Sequence, residues 1–262
     1  MNYGLHLSAS GVLTNMHRQD IHANNLANAT TVGFKRDLAA FIQRDAESIE
    51  GNHGADYRNR LMDELGGGAF AAPQQISFEP GALEKTSNPL DLALDSPDTF
   101  FAVSRTNPNT GQAETRFTRD GRFTRNAEGF LVTATGGFKV LDDAGQPIQL
   151  DNDQPALIDR DARVQQNGAE VARLQVTGIA NREKLNKEGH NLFKYTGSGD
   201  GRVAATNARV RSGFVETSTV DPIRELLGMM ETTSAIQYNS NMIKYHDQLM
   251  DKAVNSLGRV SG

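Results

Sequence analysis

The chain of 262 residues contains no cysteine and no tryptophan. Without cysteine there is no disulfide framework, no thiolate-bound metal and no cysteine nucleophile. Hydrophobic residues make up only 37% of the sequence and aromatic residues 6%, which is lean for an enzyme of this size with one continuous apolar core. Val, Leu, Ile and Phe nevertheless recur in regular clusters, so the composition does not indicate wholesale disorder.

Positive charge and long apolar runs are also scarce. The sequence has 27 Lys and Arg residues against 32 Asp and Glu residues, a net charge of -5, so we expect no basic surface for nucleic acid or for an anionic membrane. No run of about 18 apolar residues is present to span a bilayer. Residues 1–11 lack the basic start and apolar stretch of a secretory signal. We expect a soluble protein that, if exported, leaves without a cleaved signal peptide.

The sequence also lacks the residue patterns that indicate catalysis or cofactor binding. None of its six histidines makes a His-x-x-x-His or Glu-x-x-His pair of metal-ligand spacing on a predicted helix. No glycine-rich loop runs into the Lys-Ser/Thr pair of a phosphate site, and no Gly-x-Ser-x-Gly elbow is present. We therefore predict no catalytic, cofactor-binding or metal-binding residues. A hydrolase that uses two carboxylates stays open, because 32 acidic residues always allow some pair.

The sequence does contain a helical pattern at its N-terminus. Apolar or small residues recur there in alternating steps of four and three, interrupted at Gln19. We call these residues the α1 seam: Leu5, Ala9, Val12, Met16, Ala23 and Leu26. Such a narrow seam is typical of a helix that packs along another helix. The helix is expected to end near Asn28, before the β-branched residues and the glycine of segment 30–33.

A second helix is predicted at the C-terminus. Asp221 supplies a capping side chain, and Pro222 suits the first helical turn. Beyond them an apolar residue recurs every seven positions, at Met229, Ile236, Ile243, Met250 and Leu257. A period of seven over this length indicates a coiled-coil-like partner. Because both termini carry narrow seams, we predict that helices 5–26 and 222–257 pack against each other in antiparallel orientation. Packing of each helix on the core of its own domain is the alternative.

The region between the helices changes character twice. Residues 34–70 are polar, with an acidic segment at 45–49 and three glycines at 66–68, which indicates an extended connector. From residue 74 onward, short alternating segments are separated by turn pairs such as Asn-Gly at 167–168. The strand candidates are residues 100–103, 115–118, 130–133, 138–141 and 171–176. Their spacing predicts an antiparallel β-domain.

These patterns together predict an α+β fold with coiled-coil-like terminal helices. The four predicted regions are an N-terminal assembly helix (1–32), an extended connector (33–80), an antiparallel β-domain (81–212) and a C-terminal assembly helix that pairs with the first (213–262).

Four segments resemble the signature motifs of flagellar rod and hook proteins, and they occur in that family's order. The segments are residues 24–36 (Asn-Asn-Leu-Ala-Asn, later Gly-Phe-Lys), residues 83–94, residues 117–123 (Phe-Thr-Arg-Asp-Gly-Arg-Phe) with 129–133, and residues 212–218 (Ser-Gly-Phe-Val-Glu-Thr-Ser). The chain departs from the family after Glu216, where Thr-Ser-Thr-Val replaces the usual Ser-Asn-Val. Proximal-rod and distal-rod subunits both stay open.

The resemblance implies a structural subunit of the basal-body rod. Such subunits polymerise through their terminal helices into a hollow helical tube that transmits torque. The implied partners are further copies, other rod and hook axial proteins, and the flagellar export apparatus, and the implied location is the periplasmic rod. A hook or other axial protein is the second hypothesis, and a secreted β-rich enzyme with helical ends is the third.

Three amides at the end of the first helix complete the expected assembly surface. Asn24, Asn25 and Asn28 can each donate and accept hydrogen bonds, which suits contacts to the backbone of a neighbouring subunit. The alternative is that they cap their own helix. With the residues of the two seams, they form the predicted assembly site.

Overall fold

The computed structural model describes residues 3–44, 67–107, 111–151, 153–197, 201–204 and 209–257. The chain divides into two compact units. The helical unit consists of Met1–Ala27, Asp37–Gln75 and Asp221–Gly262, and the β unit consists of Asn28–Arg36 and Ile76–Val220. The acidic part of the predicted connector, residues 45–49, lies outside the described residues.

The helical unit contains two long helices, α1 (Tyr3–Ala27) and α2 (Pro222–Leu257). The predicted helix at each terminus is confirmed. α2 begins where the sequence indicates, because the Asp221 carboxylate accepts a hydrogen bond from the backbone N–H of Ile223 at 3.0 Å. Among the helices in the described part of the chain, none combines the length and apolar character that a membrane-spanning helix needs.

Short strands follow α1 in the connector. They are β1 (Asp37–Leu38), β2 (Phe41–Gln43), β3 (Ala69–Ala71) and β4 (Gln75–Ile76). β2 pairs with β3 in antiparallel orientation, and the hydroxyl of Thr14 donates to the backbone carbonyl of Ala69 at 3.1 Å. The connector therefore includes a two-stranded ribbon that is held against one side of α1.

The β unit is built from short strands. They are β5 (Leu83–Lys85), β6 (Leu92–Leu94), β7 (Thr99–Thr106), β8 (Ala113–Thr118), β9 (Phe123–Arg125), β10 (Leu131–Thr133), β11 (Lys139–Val140), β12 (Ala156–Ile158), β13 (Arg163–Gln166), β14 (Ala169–Arg173), β15 (Val176–Ile179), β16 (Leu185–Lys187), β17 (Leu192–Tyr195), β18 (Arg202–Ala204), β19 (Val210–Ser212) and β20 (Phe214–Glu216). A 3₁₀ turn, Arg182–Lys184, precedes β16.

The strands of the β unit pair in antiparallel orientation, as predicted. The largest sheet has the order β16-β17-β8-β7-β11-β10-β9, and β15 joins it by pairing with β7 and β18. A three-stranded sheet, β12-β13-β14, and the pairs β19-β6 and β20-β5 complete the described part of this unit. The α+β class with terminal helices and a mainly antiparallel β-domain is confirmed.

The core of the β unit lies on both faces of β7. Successive strand residues point to opposite faces, so Phe100 and Phe101 enter two different apolar clusters. The Phe100 ring packs edge-on against Phe193 with 5.8 Å between ring centroids, and the Phe101 ring packs against Phe123 at 5.1 Å. A sheet covered on both faces gives this unit a core of its own.

One strand prediction is wrong. Residues 171–176 do not form a single strand, because β14 ends at Arg173 and β15 begins at Val176, in a different sheet. Between them, the backbone N–H of Leu174 donates to the carbonyl of Ala162 at 2.8 Å. The alternating apolar pattern continues across this junction because Leu174 is buried in the core, and the pattern alone does not show that the partner strand changes.

Candidate assembly surfaces and a buried ion cluster

Helices α1 and α2 meet through glycines and polar side chains. A Cβ atom added to Gly4 would lie 2.7 Å from the His246 ring, and one added to Gly11 would lie 2.8 Å from the Asn239 amide. Real Cβ contacts are not this short. The two glycines therefore let side chains of α2 lie directly on the backbone of α1. Since Gly4 faces His246 and Gly11 faces Asn239, the helices are antiparallel, as predicted.

The other end of the helix pair has the same construction with the roles reversed. Here the glycine belongs to α2: a Cβ atom on Gly228 would lie 2.5 Å from the His22 ring. Nδ1 of His22 is 2.6 Å from a carboxylate oxygen of Glu225, which is completely buried. This contact fixes the position of the imidazole ring. The close approach of the helices at this end therefore depends on the absence of a side chain at Gly228.

The α1 seam does not face α2. The two helices pair as predicted, but not through the seam from which the pairing was predicted. At 3.6 residues per turn, Val12 lies roughly 90° and Met16 roughly 130° around the helix from Gly4 and Gly11. Met16 is 49% exposed and the adjacent Leu13 is 68% exposed. The side facing α2 carries small residues because these permit a closer approach of the backbones than Val or Met would allow.

The other members of the α1 seam are also incompletely covered. Leu5, Ala9, Val12 and Leu26 are half-buried, and Ala23 is exposed. Leu26 lies nearer the side facing α2 than the others do. The structure therefore leaves most of the α1 seam on an open side of the helix pair.

The sevenfold series of α2 lies beside the α1 contact. Met229, Ile236 and Ile243 are half-buried, whereas Met250 is 45% exposed. The side chain of Leu257 lies outside the described residues. Met242 and Leu249, which directly precede Ile243 and Met250 and widen the predicted stripe, are exposed as well. Further large exposed apolar side chains of α2 lie outside this stripe, away from the α1 contact: Ile223, Leu226, Leu227, Met230, Tyr238 and Tyr245.

The three predicted amides have different environments. Asn25 is completely buried; its Nδ2 donates to the backbone carbonyl of Asp37 at 2.9 Å, and its Oδ1 accepts from the Asp37 backbone N–H at 2.9 Å. Its amide therefore pairs with the chain's own connector. Oδ1 of Asn28 accepts from the Thr31 hydroxyl at 3.2 Å, just past the helix end. Asn24 is exposed.

A buried ion cluster in the β unit was not predicted. It consists of Lys35, Arg119 and Glu216, which all have side chains at most 4% exposed. Lys35 Nζ lies 2.6 Å from Glu216 Oε1, which also accepts from the backbone N–H of Gly81 at 2.8 Å. Arg119 Nη1 is 3.6 Å from the other Glu216 oxygen. Two cations thus share one carboxylate away from water.

Burial determines the electrostatics of this cluster. Desolvation is the main cause that lowers the pKa of Lys35, and it outweighs the attraction of Glu216, which raises it. Desolvation likewise lowers the pKa of Arg119 below its usual range. Further hydrogen bonds compensate the buried charges: Lys35 Nζ donates to the backbone carbonyl of Glu79 at 2.6 Å, and Arg119 donates to that of Ser96 at 2.9 Å.

The cluster holds two chain segments side by side on the β unit. The backbone N–H of Gly33 donates to the carbonyl of Glu216 at 2.7 Å, and the N–H of Thr219 donates to the carbonyl of Phe34 at 3.1 Å. Gly33 has φ of 67°, and a Cβ atom there would lie 2.5 Å from the backbone carbon of Arg119. Only glycine fits this position. The last residues before α2 are thus fixed to the first residues after α1.

Three family models match the chain. Residues 6–35 match a model for flagella basal body rod proteins, residues 97–171 match the flagellar hook protein FlgE/F/G D1 domain, and residues 211–257 match the C-terminal region of flagellar basal body rod FlgEFG proteins. Flagellar basal-body rod protein FlgF of Caulobacter vibrioides is 31% identical over 265 residues, covering all of both chains. The chain belongs to the flagellar basal-body rod protein family. It is a structural rod subunit of the basal body.

Other full-length relatives agree. Flagellar basal-body rod protein FlgF of Mesorhizobium japonicum is 29% identical over the whole of both chains. Flagellar basal-body rod protein FlgG of Bacillus subtilis is 28% identical, covering 96% of this chain and 97% of that protein. Each of the three matched regions of this rod protein supplies one member of the ion cluster: Lys35, Arg119 and Glu216.

Proposed function

We propose that this rod subunit polymerises through its terminal helices into a hollow helical tube that transmits torque. The observation that carries the proposal is the open apolar surface of the helical unit, on the α1 seam and on the face of α2 turned away from α1. Covering one large apolar side chain is worth about 1.5–3 kcal/mol. Several such contacts per subunit suffice to drive association without any catalytic or ligand-binding group.

The geometry of these surfaces suits a filament better than a closed dimer. The α1 seam and the exposed face of α2 differ in length and in residues, so a contact between them is heterologous. Contacts of this kind repeat from copy to copy and produce open helical assemblies when the rotation does not close a ring. In this proposal segments 1–32 and 213–262 assemble, segment 33–80 connects, and segment 81–212 folds as a separate β-domain.

The partners, location and lack of catalysis belong to the same proposal. The subunit binds further copies of itself and other axial proteins of the rod and hook. It reaches the periplasmic part of the basal body through the flagellar export apparatus, with no signal peptide removed, and it catalyses no reaction. The rod names of the full-length relatives favour a rod subunit over a hook protein.

The proposal predicts that charge on the α1 seam blocks assembly without unfolding the β unit. The test is Val12→Asp combined with Met16→Asp, because an ion buried in an apolar interface costs several kcal/mol. Sedimentation of concentrated protein and incorporation into basal bodies should both be lost. Circular dichroism should show the same melting temperature for the β unit, since the core of that unit contains neither residue.

Val12→Leu combined with Met16→Leu is the matched control, because it changes the same two positions and keeps the α1 seam apolar. This variant should assemble as the original chain does. Normal incorporation of the aspartate variant would contradict the proposed role of the α1 seam. Loss of the cooperative melting of the β unit would show instead that α1 belongs to the core of that unit.

A further inference from the structure

The C-terminal end of α2 extends past the start of α1. Gly4 of α1 lies against His246 of α2 in an antiparallel pair. Counting back from Gly4, Tyr3, the first residue of α1, faces a position near 247. Residues 250–257, which we call the overhang, are therefore helical and have no residue of α1 opposite them. Their eight positions extend the helix by about 12 Å.

The overhang repeats the side of α2 that α1 covers elsewhere. Ile243 and Met250 belong to the same sevenfold series, and Val254 lies one turn beyond Met250 on nearly the same side. Ile243 is half-buried, whereas Met250 is 45% and Val254 66% exposed. The overhang thus continues an established helix–helix interface, but no partner covers it within the part of the chain that the structure describes.

The opposite end of the same helix carries a second apolar surface. Its residues, which we call the head patch, are Ile223, Leu226, Leu227 and Met230. These residues share one side of the helix, which is turned away from Glu225 and Gly228 and therefore from α1. Each is between 49% and 70% exposed. Four large apolar side chains in the first turns of a surface helix indicate a protein contact.

We infer that the overhang of one copy docks on the head patch of a second copy. This inference rests on the proposed function and identifies one of its contacts. Both surfaces are apolar helix faces of two to three turns. They cannot meet in one chain, because positions 226 and 254 of a single helix are about 42 Å apart. Since the overhang and the head patch differ, the contact is heterologous and repeats from copy to copy.

The charges around the two surfaces are mixed and do not oppose this contact. Asp247 and Asp251 are exposed beside the overhang, and Lys252 is exposed within it. Arg224 is exposed beside the head patch and is paired with Asp221 at 3.3 Å. The apolar side chains therefore carry the contact, and the charges select its register more than they add affinity.

Disulfide cross-linking tests the inference cleanly, because the chain has no cysteine of its own. Two full-length variants, Val254→Cys and Leu226→Cys, are mixed in equal amounts, concentrated until wild-type protein sediments, and oxidised. The mixture should give a linked dimer several-fold more abundant than either variant gives alone. Ser234→Cys is the matched control, since Ser234 is exposed on the side of α2 that carries the head patch but two turns beyond Leu226. It should not link to Val254→Cys.

Three results would overturn the inference while the proposed function stands, provided that the sample sediments. They are preferential linkage of Val254→Cys to itself, preferential linkage to a Leu13→Cys variant, or no linkage at all. Linkage to Leu13→Cys would show that the overhang docks beside the α1 seam of the second copy. If wild-type chains neither sediment nor enter basal bodies, the proposed function falls together with the inference.

Discussion

At the scale of residues, the charge balance of the ion cluster decides what each substitution costs. Lys35→Met removes one of two cations and leaves Arg119 with Glu216, a neutral pair. Glu216→Gln leaves two buried cations and no anion. We predict that Glu216→Gln lowers the free energy of unfolding of the β unit by about 3–5 kcal/mol, and Lys35→Met by only about 1–2 kcal/mol. Urea denaturation followed by circular dichroism measures both.

The expected order of these two losses is the sharper part of the test. If the cluster stabilised the β unit only through its hydrogen bonds, Lys35→Met would lower the free energy of unfolding more than Glu216→Gln. The reason is that Lys35→Met removes the bond to the Glu79 carbonyl as well as the bond to Glu216. An equal or larger loss for Lys35→Met would therefore contradict the electrostatic explanation.

The lowered pKa of Lys35 predicts an unusual dependence of stability on pH. In the folded chain Lys35 releases its proton below the unfolded value of about 10.5. Between the two pKa values the unfolded chain binds more protons, so the free energy of unfolding rises with pH in that window. The difference in this free energy between the original chain and Lys35→Met should therefore increase as the pH approaches 10.5. A flat or falling difference would contradict the lowered pKa.

Sequence reasoning found the motifs that contain the cluster but not the cluster itself. Lys35, Arg119 and Glu216 were recognised as parts of three separate signatures. A charged residue is normally expected at the surface, and a single sequence does not show that three distant charges converge. The available signal was local: Lys35 follows Gly33 and Phe34, and Glu216 follows Phe214 and Val215. Apolar neighbours of this kind indicate a buried segment.

At the scale of elements, the two helices show what periodicity can and cannot predict. The repeat of apolar residues predicted both helices and their ends correctly, because amphipathic stripes and capping residues act locally. It did not predict the face of α1 that contacts α2, because the contact uses glycines and amides and not the α1 seam. The turn at 167–168 was predictable for a local reason too: Asn167 and Gly168 have φ of 54° and 79°, as a type I′ turn requires.

The close contact between Gly228 and His22 predicts that Gly228→Ala lowers or raises the stability of the helical unit depending on whether the His22 side chain is present. In an exposed helix, Gly→Ala stabilises by about 1 kcal/mol. We predict that Gly228→Ala instead destabilises the helical unit, because the new Cβ atom displaces the His22 ring from Glu225. In a His22→Ala background the same change should become stabilising. Thermal melting of the four chains, followed by helical circular dichroism, gives the coupling energy.

His22→Ala alone is the matched control for loss of the bond to Glu225. If Gly228→Ala stabilises the original chain as much as it stabilises the His22→Ala chain, the two residues are not coupled. The close approach seen at this end of the helix pair would then have no role in stability.

At the scale of the whole molecule, the division into two units separates stability from assembly. The β unit has a core on both faces of its main sheet, whereas the helical unit leaves large apolar side chains open along both helices. Most of the apolar surface that assembly can cover therefore lies outside the unit that holds the cluster. The change in composition along the sequence predicted four regions, whose bounds stay a prediction, and not these two units. Which surface of another copy covers the exposed apolar faces is not encoded in any one sequence pattern.

This division predicts two unfolding transitions with different dependence on protein concentration. Association stabilises only the folded state that binds, so the transition of the helical unit should move to higher temperature as concentration rises. A tenfold rise in the concentration of a single-site partner adds at most about 1.4 kcal/mol. The transition of the β unit should stay fixed. Calorimetry over a hundredfold range of concentration measures both, with Val12→Asp/Met16→Asp as the control that should lose the shift. One transition that moves as a whole would show that both units unfold and associate together.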